Sequence, residues 1–281
     1  MIGRGRPTRS VKVVRHRNGT VDRRKDILAV EEPLEIRVRW GENVASRRVD
    51  PVAVTMRTPG HDFELVAGFL HGEGIVKGTN DVTELTYCRG DEAQEYNIVE
   101  ARLAADVSFD LERLRRNVFT SSSCGVCGKA SLEAVEAVGC SLLVDDFRLD
   151  AAHVSELPDR LMEGQRVFAR TGGLHAAGLF TAGGEVVVLR EDVGRHNAVD
   201  KVLGWALLDR SLPATERVLV VSGRASFEIV QKAVMAQVPL LVAVGAPSSL
   251  AVDLANEFGQ TLVGFARNGG FNVYTRPERI V

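Results

Sequence analysis

From Glu185 to Tyr274 the chain alternates short apolar runs with stretches that carry a helical apolar stripe, and few folds accept that rhythm. The runs 185–189, 218–221, 240–244, 262–265 and 271–274 read as strands. Between them, Val199, Val202, Leu203 and Ala206 share one helix face. So do Phe227, Val230 and Val234, and then Leu250, Ala251, Leu254 and Phe258. Pro239 and Gly259 stop the second and third helices. This alternation predicts an α/β domain with a mostly parallel sheet covered on both faces.

The first half has a different rhythm. Glu35–Trp40 puts Ile36, Val38 and Trp40 on one face, and Val52, Val54 and Met56 alternate in the same way. Both segments predict half-buried, antiparallel strands. From Asp62 the spacing turns helical through Phe63, Val66 and Leu70, until Gly72 and Gly74 end it. Strand-like segments follow at 82–87 and 97–103. These elements predict a smaller α+β subdomain over residues 31–115, ahead of an α/β domain over 116–281.

With 281 residues, 45% of them hydrophobic, the chain can bury a large core. A formal net charge of -2 gives no global pull towards nucleic acid or anionic membrane, so neither is expected as a partner. Residues 1–30 are the exception. They hold Arg4, Arg6, Arg9, Lys12, Arg15, Arg17, Arg23, Arg24 and Lys25 among few acids, and read as a poorly ordered basic arm. Arg23-Arg24 superficially matches an export signal, but the segment after it is too short and acidic to be one. No apolar run approaches the ~18 residues that span a bilayer. A soluble, cytoplasmic protein is expected.

In open α/β sheets ligands bind where loops leave the carboxyl ends of the strands. Here those loops are Ser222-Gly223-Arg224-Ala225-Ser226, Gly245–Ser249 and Arg267-Asn268-Gly269-Gly270. Their small residues let backbone N–H groups approach a ligand, and the first two open helices whose positive ends favour anions. Arg224 and Arg267 add planar donors suited to phosphate. The loop from Asp192 to Asn197 offers Arg195, His196 and a candidate helix cap, Asn197. Taken singly, each loop could be an ordinary turn; together they point to a phosphate-bearing ligand. There is no Gly-x-x-x-x-Gly-Lys-Ser/Thr motif and no Gly-x-Gly-x-x-Gly after a strand, which argues against an ordinary ATPase or dinucleotide dehydrogenase.

Of the four cysteines, Cys124 and Cys127 form a Cys-x-x-Cys pair between glycines and behind three serines. The stripe Leu132, Val135 and Val138 predicts a helix just after them. Thiols ahead of a helix N-terminus, with Lys129 nearby, should be rich in thiolate. Four uses compete. A structural zinc site needs four ligands, and Cys88 and Cys140 are isolated. A thioredoxin-type pair follows the first strand of a small domain, whereas this one is mid-chain. Inert core cysteines do not suit so polar a loop. A sulfur-carrying pair fits best, with one thiolate accepting a persulfide and the other protecting or resolving it. One more motif, Thr171–Gly178, is similar to the His-x-Glu stretch of zinc nucleoside deaminases through His175. Ala177 stands where the proton-shuttling glutamate would be.

Together these residues resemble the FdhD family of formate dehydrogenase accessory proteins, also called sulfur carriers. The resemblance rests on the loop around Cys124 and Cys127, on Thr171–Ala177, Glu191–Lys201, Val221–Glu228, Ala246–Ala251 and Gly264–Thr275. It implies a cytidine-deaminase-like three-layer sandwich with a smaller N-terminal portion, and a homodimer. It also implies that a cysteine desulfurase loads a persulfide on the pair, with Cys124 as the carrier. The sulfur would pass to the molybdenum of Mo-bis(molybdopterin guanine dinucleotide), a client cofactor destined for formate dehydrogenase. The family's cofactor-binding segment maps to Phe265, Ala266, Arg267, Asn268, Gly269 and Gly270. Ser222, Gly223, Arg224, Arg195 and His196 would add to the site for the guanine nucleotide moiety, with no resident metal. The rival reading is a zinc-stabilised nucleotide-binding module without sulfur chemistry.

Overall fold

The computed structural model describes residues 5–41, 48–88, 97–108, 140–143 and 147–281. Cys124, Cys127, Lys129 and the stripe from Leu132 to Val138 lie outside them. Two sheets, bridged by helices, organise the described residues. A four-stranded sheet has the order β4-β3-β6-β5, from β3 (Glu32–Trp40), β4 (Arg48–Arg57), β5 (Val82–Tyr87) and β6 (Ile98–Leu103). Strands β3 and β4 are antiparallel, as their alternation predicts, and β3 pairs with β6 in parallel. Leu34, Ile36, Val38, Val99 and Ala101 bury one face against Leu65, Val66 and Leu70 of α1 (Asp62–Gly72). On these strands ion pairs such as Arg37–Glu35 and Arg39–Glu100 accompany the residues that alternate with the buried row.

The second sheet has six strands in the order β12-β11-β10-β9-β7-β8. They are β7 (His175–Phe180), β8 (Val186–Asp192), β9 (Val218–Val221), β10 (Leu240–Ala243), β11 (Thr261–Arg267) and β12 (Gly270–Thr275). Only β9–β10 and β10–β11 are parallel; β12–β11, β9–β7 and β7–β8 are antiparallel. The sheet is therefore mixed and not mostly parallel as expected. The cause is connection length. Thr181–Glu185 joins β7 to β8 and Asn268-Gly269 joins β11 to β12, and neither reaches the ~12 residues of a parallel crossover.

Helix α2 (Ala151–Gly164) covers one face of this sheet, with Val154, Leu157 and Leu161 on Val218, Val220, Leu240 and Val242. Its N-terminus is capped by Asp150, whose Oδ1 accepts the Ala152 N–H at 2.7 Å. The short α3 (Phe168–Thr171) follows. Helices α4 (Arg195–Leu208), α5 (Phe227–Met235) and α6 (Ser249–Glu257) cover the other face, over Leu219, Val221 and Leu241. Strands β9 and β10 are buried on both faces, which explains their unbroken apolar sequence.

Helix α1 joins the sheets by packing on α4. The backbones come close enough that a Cβ at Gly68 would land on the Asp200 carbonyl, and one at Gly204 on the Glu64 carbonyl. Among the described residues, no helix is long and apolar enough to cross a membrane.

The basic arm departs from expectation. Thr8–Arg17 (β1) and Thr20–Ala29 (β2) pair antiparallel along their whole length. Asn18 and Gly19 turn the chain with φ of 50° and 76°, the positive pair that a tight two-residue hairpin requires. Alternating valines and an Asn-Gly turn thus make a hairpin from a segment whose charge suggested disorder.

Candidate functional site

Because β7 and β12 run against β8 and β9–β11, five chain segments meet at one end of the larger sheet. There β7 begins at His175, β8 ends at Asp192, and the loops after β9, β10 and β11 leave. The Asp192–Lys201 segment builds the floor. Asp192 is fully buried; its Oδ2 takes an ion pair from Lys201 Nζ at 2.6 Å and the Thr58 N–H at 3.1 Å. Its Oδ1 accepts Gly194 N–H at 2.8 Å and Asn197 Nδ2 at 3.0 Å. Lys201 also donates to the Thr58 carbonyl, and Asn197 to the Met56 carbonyl. Asn197 is not a helix cap, as the sequence had suggested. Gly194 occupies that place, and Asn197 is drawn inward to clamp α4 onto β4.

Arg195 and His196, in the first turn of α4, belong to the rim. His196 Nε2 lies 3.0 Å from Glu228 Oε2 and 3.1 Å from Ser226 Oγ, and Ser226 Oγ donates to the same carboxylate oxygen at 3.3 Å. A carboxylate only accepts, so Nε2 carries a proton. The His196 contact holds the Glu228 carboxyl below its usual range. Arg195 Nε is buried without a hydrogen-bond partner among the described residues, which leaves a charge-assisted donor for an acceptor. His175 sits beside them and its ring faces Gly223, where a Cβ would lie 3.5 Å from Nδ1. Burial first, then the Arg195 and His196 charges, push its pKa down, which favours the neutral imidazole.

The other loops are laced together. The Ser222 N–H donates to the Ala176 carbonyl and its Oγ accepts the Ala176 N–H at 2.9 Å, so Ser222 spends its acceptor on β7. Gly245 N–H donates to the Gly223 carbonyl, and Phe265 N–H to the Gly245 carbonyl. Gly223 and Gly245 thereby bring their loops side by side, with Arg224 exposed above them. From Phe265 to Gly270 the segment is an exposed strand end and turn, except for Ala266, which is buried in the core below. Asn268 and Gly269 make another positive-φ turn. Arg267 stands 5.9 Å over the exposed Phe265 ring, a cation held against an aromatic face.

A family model, described as the FdhD/NarQ family, matches residues 29–281. The chain belongs to the FdhD/NarQ family. It is 54% identical to a protein named sulfur carrier protein FdhD from Streptomyces avermitilis, covering 98% of this chain and 96% of the relative. A relative of the same name from Sulfurisphaera tokodaii is 44% identical over 96% and 98%. Among solved structures, a proposed formate dehydrogenase accessory protein from Desulfotalea psychrophila superposes with a TM-score of 0.75. Its identity is 26%, and 98% of this chain and 100% of that chain are covered.

In this FdhD/NarQ-family chain the fold gathers Arg195, His196, Ser222, Gly223 and Arg224 around His175, and sets Arg267 on the adjoining turn. Cys124 and Cys127 fall outside the described residues. The other two thiols are poor thiolate sources: burial pushes Cys140 up to about 12, and burial with Glu100 nearby raises Cys88. Sequence reasoning missed Glu228 and gave His175 no place among the site residues. Glu228 lies 32 positions from its imidazole partner, beyond any local period; His175 stood out only as the histidine after Gly172-Gly173. The deaminase comparison does not extend to Ala177, which faces the core from within β7.

Proposed function

We propose that this chain is a sulfur carrier serving formate dehydrogenase. Cys124, as thiolate, attacks the terminal sulfur of a cysteine desulfurase persulfide. A sulfur–sulfur bond forms on Cys124 as the donor's bond breaks, and the donor leaves as thiolate. Cys127 then attacks Cys124. The new disulfide supplies two electrons, and the outer sulfur leaves as sulfide for the molybdenum of Mo-bis(molybdopterin guanine dinucleotide), which is the cargo. Relatives named sulfur carriers support the transfer role. The observation that carries the cargo site is Arg195 Nε, which has no hydrogen-bond partner among the described residues, beside Gly223, Arg224 and Gly245 at one sheet end. Arginine donors and closely approaching glycine backbone suit the phosphates of a guanine nucleotide tail. A homodimer in the cytoplasm and a deaminase-like ancestry for the larger sheet belong to the same reading. The rival zinc module would need Cys124 and Cys127 as ligands, and stoichiometric zinc in the purified protein would favour it.

Mass spectrometry after incubation with a cysteine desulfurase and cysteine tests the transfer. One added sulfur is expected on the Cys124–Cys127 peptide and none after Cys124→Ala; full loading of that variant would refute the carrier assignment. Arg267→Ala should weaken guanine nucleotide binding by calorimetry and leave persulfide loading intact.

A further inference from the structure

All of the β1–β2 hairpin but its last residue, Ala29, lies ahead of the family match, and it takes no part in the strand-end site. Between Thr8 and Ala29 it holds seven Arg and Lys side chains and two carboxylates; the whole chain is net -2, so the remainder is acidic. Its register sorts these charges by face, because opposed residues of an antiparallel pair point to the same side. Arg15 opposes Asp22 and Val11 opposes Asp26, so one face holds both acids, with an Arg15–Asp22 contact at 3.2 Å. On the other face Lys12 opposes Lys25, Val14 opposes Arg23 and His16 opposes Val21, with no carboxylate among them.

Two features of that second face do nothing for the hairpin itself. Lys12 and Lys25 directly opposite each other destabilise the pairing. Val14 and Val21 stand 54% and 63% exposed among the cations. Charge on exposed strands discourages stray edge pairing, but either sign would do that. One sign, interleaved with uncovered apolar side chains, suits a surface of opposite charge and similar polarity.

The hairpin is also rooted beside the rim. Val30 N–H donates to the Pro7 carbonyl at its base, β2 packs on α3, and Ala29 faces Gly173, two residues before His175. We infer that the Lys12–Val14–Arg23–Lys25 face docks an acidic, partly apolar surface of a folded protein, which it holds at the strand-end site. This inference rests on the sulfur-carrier reading, in which a protein gives or receives the sulfur there. A polyanion is the poorer occupant, since the acidic remainder of the chain repels an extended phosphate array.

The test measures equilibrium binding of the full chain to purified cysteine desulfurase and to purified formate dehydrogenase from the same organism, at low and physiological salt. The triple variant K12E/R23E/K25E should bind at least one of them about tenfold more weakly, and the unaltered chain should lose affinity as salt rises. Neutral K12Q/R23Q/K25Q should fall between the two, and circular dichroism should show both variants folded. Unchanged affinity for both proteins, or no binding of either by the unaltered chain, overturns the inference. So does tighter binding of duplex DNA or phosphatidylserine vesicles than of either protein, or a loss confined to self-association. Loading of Cys124 by glutathione persulfide, read by mass, needs no protein partner. If the unaltered chain fails to load, the carrier reading falls, while the binding series still decides the hairpin.

Discussion

The Asp192–Lys201 segment divides between two regions that obey different physics. Asp192, Asn197 and Lys201 face a dry seam where α4 meets β4, and nearly all their polar atoms are matched. Arg195 and His196, only a few residues away, face the rim, where Arg195 Nε has no described partner and the neighbouring loops are exposed. The first two turns of α4 therefore serve both stability and binding. Buried charge is tolerable only when paired, whereas a donor intended for a ligand must be left unpaired until the ligand arrives. The contrast assigns the roles: the seam holds the rim in place, and the rim meets the cargo.

Lys201→Met would break this contrast most sharply. It strands Asp192 in a buried site and should cost about 3–5 kcal/mol in chemical denaturation. Gly204→Ala drives a methyl into the Glu64 carbonyl and should cost about 1–3 kcal/mol, read the same way. Glu64 tests the seam by pH. Burial by itself would raise its carboxyl, but Arg190, bonded at 2.9 Å, and His61 together outweigh it and hold the carboxyl at about 2 against an ordinary 4.5. A depressed carboxyl stabilises fully above its unfolded value, and the contribution fades as pH falls from 4.5 towards 2. Glu64→Gln should flatten that acid limb and leave the limb above neutral pH unchanged. At the rim the smallest stability change is expected. Arg224→Ala should alter stability by less than about 0.5 kcal/mol and lower guanine nucleotide affinity in calorimetry. A large stability loss there would erase the distinction between the two regions.

Much of the fold was legible because it is periodic. The helices at 195–208, 227–235 and 249–257 and the double-buried strands β9 and β10 follow from apolar spacing alone. Strand direction did not follow, because the apolar period is the same in parallel and antiparallel strands. Helix α2 went unread although Val154, Leu157 and Leu161 share a face, since Pro158 and the acids around it blur the stripe. The basic hairpin went unread for the opposite reason: its charge outweighed a valine alternation and an Asn-Gly turn in plain view. At the site, arginines and glycines announced themselves by type, while the His196–Ser226–Glu228 contact did not.

The sequence by itself determined the periods, the turns and the chemistry on offer: a Cys-x-x-Cys pair, glycine-rich strand ends and arginines beside them. These are local properties, set by the side chains within a few positions of one another. The tertiary structure alone decided which of those residues are spent and which remain available. Lys201 meets Thr58, Asn197 meets Met56, and Arg190 meets Glu64 across more than 100 positions. Such contacts exist only after the two sheets close on α1 and α4, and that closure separates the buried lysine of the motif from the arginine at its rim, whose Nε has no partner among the described residues.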